Sequence, residues 1–322
     1  MPPILGMLRP LVRAIAIIVR RAEAIQFLER ELVPGHGPRI LCVVNDAPKS
    51  PAPGSNGRVL GRLLKEWRGR RGYSQLDLAL AASTTQRHLS FIESGRAAPS
   101  REMVLRIAAT MNMPLRQQNA LLLAAGYAPA WPQRDLTAPD LAIVNRALDF
   151  ILAKHEPFPA FVVDRRWNLL RANRGALSLT EFLTGPQSVQ PTAEPVNLAI
   201  ALMSPAGLRP FISNWEEVAH YFLRGVQADA QEDGAPETLT LLNRLLALPD
   251  VLALSESPTP ALTRAPVLPI HIQRGEVSLA LFTTIATLGT PRDVTLQEVR
   301  IECFFPMDDA TGQCFLAWAR GD

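Results

Sequence analysis

Residues 74–95, Ser-Gln-Leu-Asp-Leu-Ala-Leu-Ala-Ala-Ser-Thr-Thr-Gln-Arg-His-Leu-Ser-Phe-Ile-Glu-Ser-Gly, decide how the chain is read. They read as two short helices around a tight turn. Ser74 suits the N-cap of the first, because its hydroxyl can accept from an orphan backbone N–H. Leu76, Ala79 and Leu80 follow at i, i+3 and i+4, the spacing of one buried stripe. Ala82-Ser83-Thr84 supplies the break. Thr85 can cap the second helix, which runs to about Glu93, and Gly95 offers a left-handed stop just beyond it. On that second helix Leu89 and Ile92 point inward, while Gln86, Arg87 and Ser90 share the opposite face. Such side chains can hydrogen-bond base edges and phosphates, on a rod narrow enough for the DNA major groove. A helix N-terminus also favours phosphate. An ordinary helical hairpin with a solvated polar face fits the same pattern.

The flanks weigh toward DNA. A helix over about residues 58–70 carries an inner stripe of Leu60, Leu63, Leu64 and Trp67. Ser100 caps a fourth helix with Val104, Ile107, Ala108 and Met111 inward. Pro114 suits the first position of a fifth, which Gly126 ends. Residues 58–99 hold eight Lys/Arg against three acids, a net of +5. Residues 1–57 carry +3, and the whole chain also only +3, so the remainder is −5. The positive field therefore sits on the two-helix motif and the segment before it, and phosphate neutralisation needs it on the motif.

Here the sequence resembles the Cro/repressor-type helix-turn-helix (the XRE family, lambda-repressor-like) over about residues 58–126. The resemblance rests on Arg-Gly-Tyr-Ser-Gln at residues 71–75, Leu-Ser-Phe-Ile-Glu-Ser-Gly at residues 89–95, and Pro99-Ser100 opening the next helix. It implies that Gln75 contacts phosphate and that Thr84, Thr85, Gln86, Arg87 and Ser90 face the groove. It also implies that Arg68 and Glu93 form a structural pair. The turn departs from the family's common Gly-Val, with Ser83-Thr84 in its place.

Residues 127–138, with Pro129 and Pro132, read as a short stiff linker. A second domain spans residues 139–322. Leu141, Val144, Leu148 and Ile151 stripe its first helix. Residues 160–164 and 167–171 read as a strand pair turning at Asp164-Arg165-Arg166. Asn173 caps a helix through Phe182, a polar gap follows over residues 184–195, and helices are expected near residues 196–203, 211–231 and 237–248. Strands close the chain at residues 267–273, 277–288 and 294–305, with the apolar 277–288 run as a central strand. Strand pairs, intervening helices and a closing antiparallel run make an α+β domain. Residues 157–168, then Arg171-Ala172-Asn173, then Gly207-Leu208-Arg209-Pro210 with Asn214-Trp215-Glu216, resemble the MmyB-like ligand-binding domain that follows this helix-turn-helix in many bacterial regulators. That resemblance covers about residues 139–305. It implies a PAS-like sensor fold with an apolar cavity for a small, apolar or fatty-acid-like molecule. Trp167, Asn173 and Trp215 are the candidate cavity residues, though hairpin packing, a helix cap and a core stripe are the stronger readings of them.

Residues 1–57 are expected to be a poorly ordered extension or to lie upstream of the true translation start. The apolar run within residues 11–32 is too short to span a bilayer, and residues 40–44 form a second short apolar stretch. Cys42, Cys303 and Cys314 lie far apart and read as free thiols of a cytoplasmic protein, with no metal site. No dinucleotide, P-loop or nucleophile-elbow motif occurs, and the adjacent acid pairs diverge around a helix, so neither cofactor nor catalysis is expected. The fold expected is an all-α five-helix helix-turn-helix domain followed by an α+β sensor domain. The function expected is a cytoplasmic homodimeric regulator, a repressor, that binds a palindromic double-stranded operator and responds to a small-molecule effector. A constitutive DNA-binding dimer with a purely structural second domain is the alternative.

Overall fold

The computed structural model describes residues 56–184, 196–257 and 266–321. The apolar stretches within residues 11–32 and at residues 40–44, and the polar gap from residue 185 on, lie outside them. Five helices form the first unit: α1 (Asn56–Arg70), α2 (Gln75–Ala81), α3 (Gln86–Glu93), α4 (Arg101–Thr110) and α5 (Leu115–Ala124). Ser74, Thr85 and Ser100 each accept a backbone N–H three residues on, so three helix starts are capped by hydroxyls. Gly95 and Gly126 stand at φ 74° and 84°, in the left-handed region that ends a helix. Pro114 precedes α5 as its cap rather than opening it, because its ψ of 150° is extended.

The core of this unit gathers Leu60, Leu64 and Trp67 of α1 with Leu89 and Ile92 of α3 and Val104, Ile107 and Ala108 of α4. Each large side chain so buried contributes roughly 1.5–3 kcal/mol. The stripe expected on α2 is corrected. Leu76 and Leu80 are 49% and 68% exposed, whereas Leu78, Ala79 and Ala82 are buried. With a helix of only seven residues, two apolar spacings compete, and contact with α3 selects the one through Leu78. Gly61 lets α1 approach α3 closely: a Cβ there would stand 2.1 Å from the Glu93 carbonyl oxygen. Ser83, in the turn between α2 and α3, takes φ 52°, the conformation a glycine adopts without cost.

The second unit is an antiparallel five-stranded sheet in the order β2-β1-β5-β4-β3. Its strands are β1 (Ala160–Val163), β2 (Leu169–Ala172), β3 (Ile270–Arg274), β4 (Val277–Thr287) and β5 (Arg300–Pro306). The centre is β5, paired along both edges, and β4 lies beside it. Alternation divides the sheet into two faces. Ala160, Val162 and Ile301 meet Leu148 and Leu152 of α6 (Ala142–Lys154) on one face. Leu152 takes the inward place expected of Ile151, which is 37% exposed. The other face meets α7 (Arg174–Thr184), α8 (Leu198–Met203) and α9 (Trp215–Asp233). Beyond α9 come α10 (Pro236–Leu246) and α11 (Val251–Glu256).

Three further corrections concern this unit. Residues 294–305 are not one strand: Asp293 accepts the Thr295 and Leu296 N–H groups and starts a short helix, α12 (Val294–Glu298), before β5. Asp308 caps a closing helix, α13 (Asp309–Arg320), which the sequence reading omitted along with α11. Trp167 belongs to the turn before β2, at φ 63°, rather than to the strand itself. That turn is held by Asp164, whose Oδ1 accepts the Arg166 and Asn168 N–H groups.

Candidate DNA-binding face and ligand cavity

The polar side of α3 is presented as a unit. Thr85, Gln86 and Arg87 are exposed, and Thr84 and Ser90 are half-buried at the same end. The Thr85 hydroxyl is committed to the His88 N–H at 3.1 Å, which fixes the first turn. Arg87 and Arg96 both stand over the Phe91 ring, 5.4 and 6.0 Å from its centre, so one aromatic ring holds two guanidinium groups beside the helix. Arg58, Arg62 and Lys65 are exposed on α1.

Beneath this face Glu93 accepts three side-chain hydrogen bonds. Arg68 donates from Nε at 2.6 Å and Nη2 at 3.1 Å, and Gln75 donates from Nε2 at 2.7 Å. Arg68 also donates to the Tyr73 carbonyl at 2.9 Å. The Arg68 and Glu93 side chains are 15% and 5% exposed, so the pair is shielded, and its hydrogen bonds raise the Arg68 pKa. One carboxylate thereby ties α1, the start of α2 and the end of α3 together.

The second unit holds an open-mouthed cavity of about 640 Å³ between the sheet and α9. Its walls are mainly apolar: Phe161 and Phe304 from the sheet, Val218, Phe222 and Val226 from α9, Leu179 and Leu183 from α7. This size and lining suit a small organic ligand. Of the three residues singled out in the sequence, Trp167 lines the cavity and the other two do not. Asn173 is spent on backbone: its Oδ1 accepts the Ala160 and Ala176 N–H groups, and its Nδ2 donates to the Phe158 carbonyl. Trp215 packs behind the wall with Arg209 stacked 3.7 Å from its ring centre, and its Nε1 donates to the Leu202 carbonyl.

The sequence reading missed the cavity's charged lining. Arg300 and Glu302 alternate with Phe304 along β5 and face inward, joined by Glu217 and Asp229 of α9. Arg300 Nη2 lies 2.7 Å from Asp229. Burial pushes the Glu302 carboxyl up to about 7 against a hydrogen bond from Thr283 and the nearby Arg300, which lower it. Both ring nitrogens of His220 and the indole nitrogen of Trp167 are buried without a hydrogen-bond partner. With Arg71 Nε, they are the only such side-chain atoms among the described residues.

Asp229 and Arg300 have a second aspect. They also line a polar cleft of about 220 Å³ with Asn112, Met113 and Pro114 of the first unit. At this joint Arg116 of α5 makes a two-pronged pair with Glu298 of α12, at 2.7 and 2.8 Å. The Leu115 N–H donates to Gln297 at 2.7 Å, and Arg165 lies 3.5 Å from the same Glu298. Burial holds Arg165 below the ordinary arginine range, even with Glu298 and Asp229 nearby. The connecting segment is fixed from both sides. Asn119 of α5 accepts the Ala130 and Trp131 N–H groups, while the Val294 N–H donates to the Pro132 carbonyl.

A helix-turn-helix with an exposed polar face on its second helix, joined to a second domain built around an apolar cavity, defines a DNA-binding transcription regulator with a ligand-binding domain. Residues 64–118 match the helix-turn-helix family model. Residues 144–316, more than half of the chain, match the model of the MmyB-like transcription regulator ligand binding domain, and the chain belongs to that family. No curated protein matches it. Among the described residues no helix is long and apolar enough to cross a membrane.

Proposed function

We propose that the protein is a cytoplasmic repressor without catalytic activity, acting as a homodimer whose affinity for a palindromic operator is set by an apolar, chain-like molecule in the cavity. Thr84, Thr85, Gln86, Arg87 and Ser90 read the major groove, and Gln75 takes a phosphate through the amide N–H that Glu93 leaves free. A dyad places two such helices on half-sites about one helical turn apart. The exposed apolar residues Ile143, Phe150 and Ile151 on α6 suit that dyad, since an apolar stripe of this kind gains by being covered.

One observation carries the regulatory part: Asp229 and Arg300 form part of the cavity wall and part of the wall between the domains. A molecule that reorders this pair alters the surroundings of Glu298 and its hold on Arg116. Its effect on DNA is limited to the difference between its affinities for the two arrangements. The test is operator binding by fluorescence anisotropy, on duplexes selected from a random pool, before and after organic extraction of bound small molecules. Arg87→Ala is expected to abolish sequence-specific binding while leaving the melting temperature unchanged. Specific binding retained by that variant removes the recognition face, and operator affinity indifferent to extraction and reloading leaves the constitutive dimer instead.

A further inference from the structure

The cavity's charges do not balance. Three carboxylates face it, Glu217, Asp229 and Glu302, against the single guanidinium of Arg300. That guanidinium is already committed to Asp229 at 2.7 Å. Neutral donors serve the two remaining carboxylates: Asn214 reaches Glu217 at 3.3 Å, and the Thr283 hydroxyl bonds Glu302. Both are half-buried, and Glu302 is the one fixed to the sheet. It sits on the central strand opposite Ile285, between Arg300 and Phe304 on the cavity face. A carboxylate so placed loses much of its hydration, and the one cation near it, Arg300, is shared with Asp229.

The rest of the wall favours positive charge as well. Five aromatic rings, Phe161, Trp167, Tyr221, Phe222 and Phe304, line the same space, and aromatic faces attract cations. His220 is 6% exposed with neither ring nitrogen partnered, and a neutral imidazole offers one lone pair to an incoming N–H. An anion entering the cavity would have to compete for Arg300. Success would leave Asp229 unpaired beside Glu302, although the Trp167 N–H would gain an acceptor. A cation gains Glu302 and competes with Arg300 for it, which shifts the Arg300–Asp229 pair without breaking it.

We propose that the effector ends in a protonated amine carried on an apolar chain, with Glu302 as its counter-ion in the cavity. The proposal rests on the reading of this cavity as the effector site. It makes the ligand fatty-acid-like in its chain and opposite to a fatty acid in its head.

Three probes of equal chain length separate the cases: decylamine, decanol and decanoate, each titrated by calorimetry into the full chain below its micellar concentration. Decylamine is expected to bind at least tenfold more tightly than either of the others. Glu302→Gln is expected to erase the advantage of the amine over the alcohol and to leave decanol binding within twofold. Decanoate binding tightest, or an amine preference untouched by Glu302→Gln, overturns the proposal and leaves the effector cavity standing. Failure of all three to bind removes the cavity reading and the proposal together. The comparison among probes on the unaltered protein decides the charge preference without reference to the variant.

Discussion

Glu298 is the point at which the two domains are most directly fastened, so Glu298→Ala is the perturbation to develop. The substitution removes both acceptors of Arg116, at 2.7 and 2.8 Å, and takes from Arg165 one carboxylate, at 3.5 Å. A hydrogen bond to a charged group contributes about 1.5–3 kcal/mol when shielded. The Arg116 side chain is 31% exposed and Glu298 13%, so solvent screening reduces the pair below the sum of its two bonds. The loss comes to about 2 kcal/mol, or about 30-fold in the equilibrium between docked and undocked domains. For a helix-turn-helix unit spanning residues 56–124 that is a fall of about 8–16 °C in melting temperature. Scanning calorimetry reads it directly, with the helix-turn-helix unit melting earlier than the rest. Arg116→Ala is expected to cost a similar amount. The double variant is expected to fall short of the sum of the two by about 1–2 kcal/mol, the coupling of residues in contact. A melting temperature within 1 °C of the parent, or additive losses, would refute the clasp as a fastening. An operator response to ligand that survives Glu298→Ala unchanged would refute it as the route of regulation.

Three smaller tests address the frame around the sites. Gly61→Ala places a methyl group 2.1 Å from a backbone oxygen that cannot swing away, so α1 and α3 must separate; a loss of about 2–4 kcal/mol is expected in chemical denaturation, and a neutral outcome would contradict the close approach. Ser83→Gly relieves a side chain held at φ 52° and is expected to stabilise the protein by about 0.5–1 kcal/mol, read as a higher denaturant midpoint with unchanged slope. Glu302 sits at about 7 when folded against an ordinary 4.5, so the folded state holds the proton more tightly. Stability from this group is complete below about 4.5, falls as pH rises, and is lost by about 7. Glu302→Gln is therefore expected to match the parent at about pH 4 and to exceed it by up to about 3 kcal/mol at pH 8; a parent that gains stability over this range relative to the variant would reverse the assignment.

The first domain was legible in sequence because its signals are local. Hydroxyl caps, i, i+3, i+4 spacing and glycine stops each act within a few residues, and they located all five helices in order. Where two stripes were possible, as with Leu76 and Leu80 against Leu78 and Ala79, only the neighbouring helix could decide. The second domain was less legible for the same reason. The apolar composition of residues 294–305 suits a strand, and the Asp293 cap that turns its first part into a helix is one residue's worth of signal. Asp308 gave an equally readable cap for the closing helix, with Phe315 and Trp318 at helical spacing behind it. The charged part of the cavity was out of reach. Arg300 and Glu302 alternate with apolar neighbours along β5, and nothing in a strand says which of its two faces is covered until the covering helix is placed. The pair of Arg116 with Glu298 joins residues 182 positions apart, which no spacing rule reaches.

The connecting segment bears on how this protein could be recombined. Regulators of two domains invite the exchange of one DNA-reading module for another at the linker, as though the parts were beads on a string. Here the string is stitched to both beads: Asn119 binds residues 130 and 131, Val294 binds Pro132, and Arg116 grips Glu298. A transplanted helix-turn-helix that lacks an arginine at position 116 or an asparagine at position 119 would arrive without its half of the joint. If regulation runs through this joint as proposed, the resulting chimera is expected to read its operator and ignore the effector, and portability of the sensor then depends on two side chains on α5 more than on where the chain is cut.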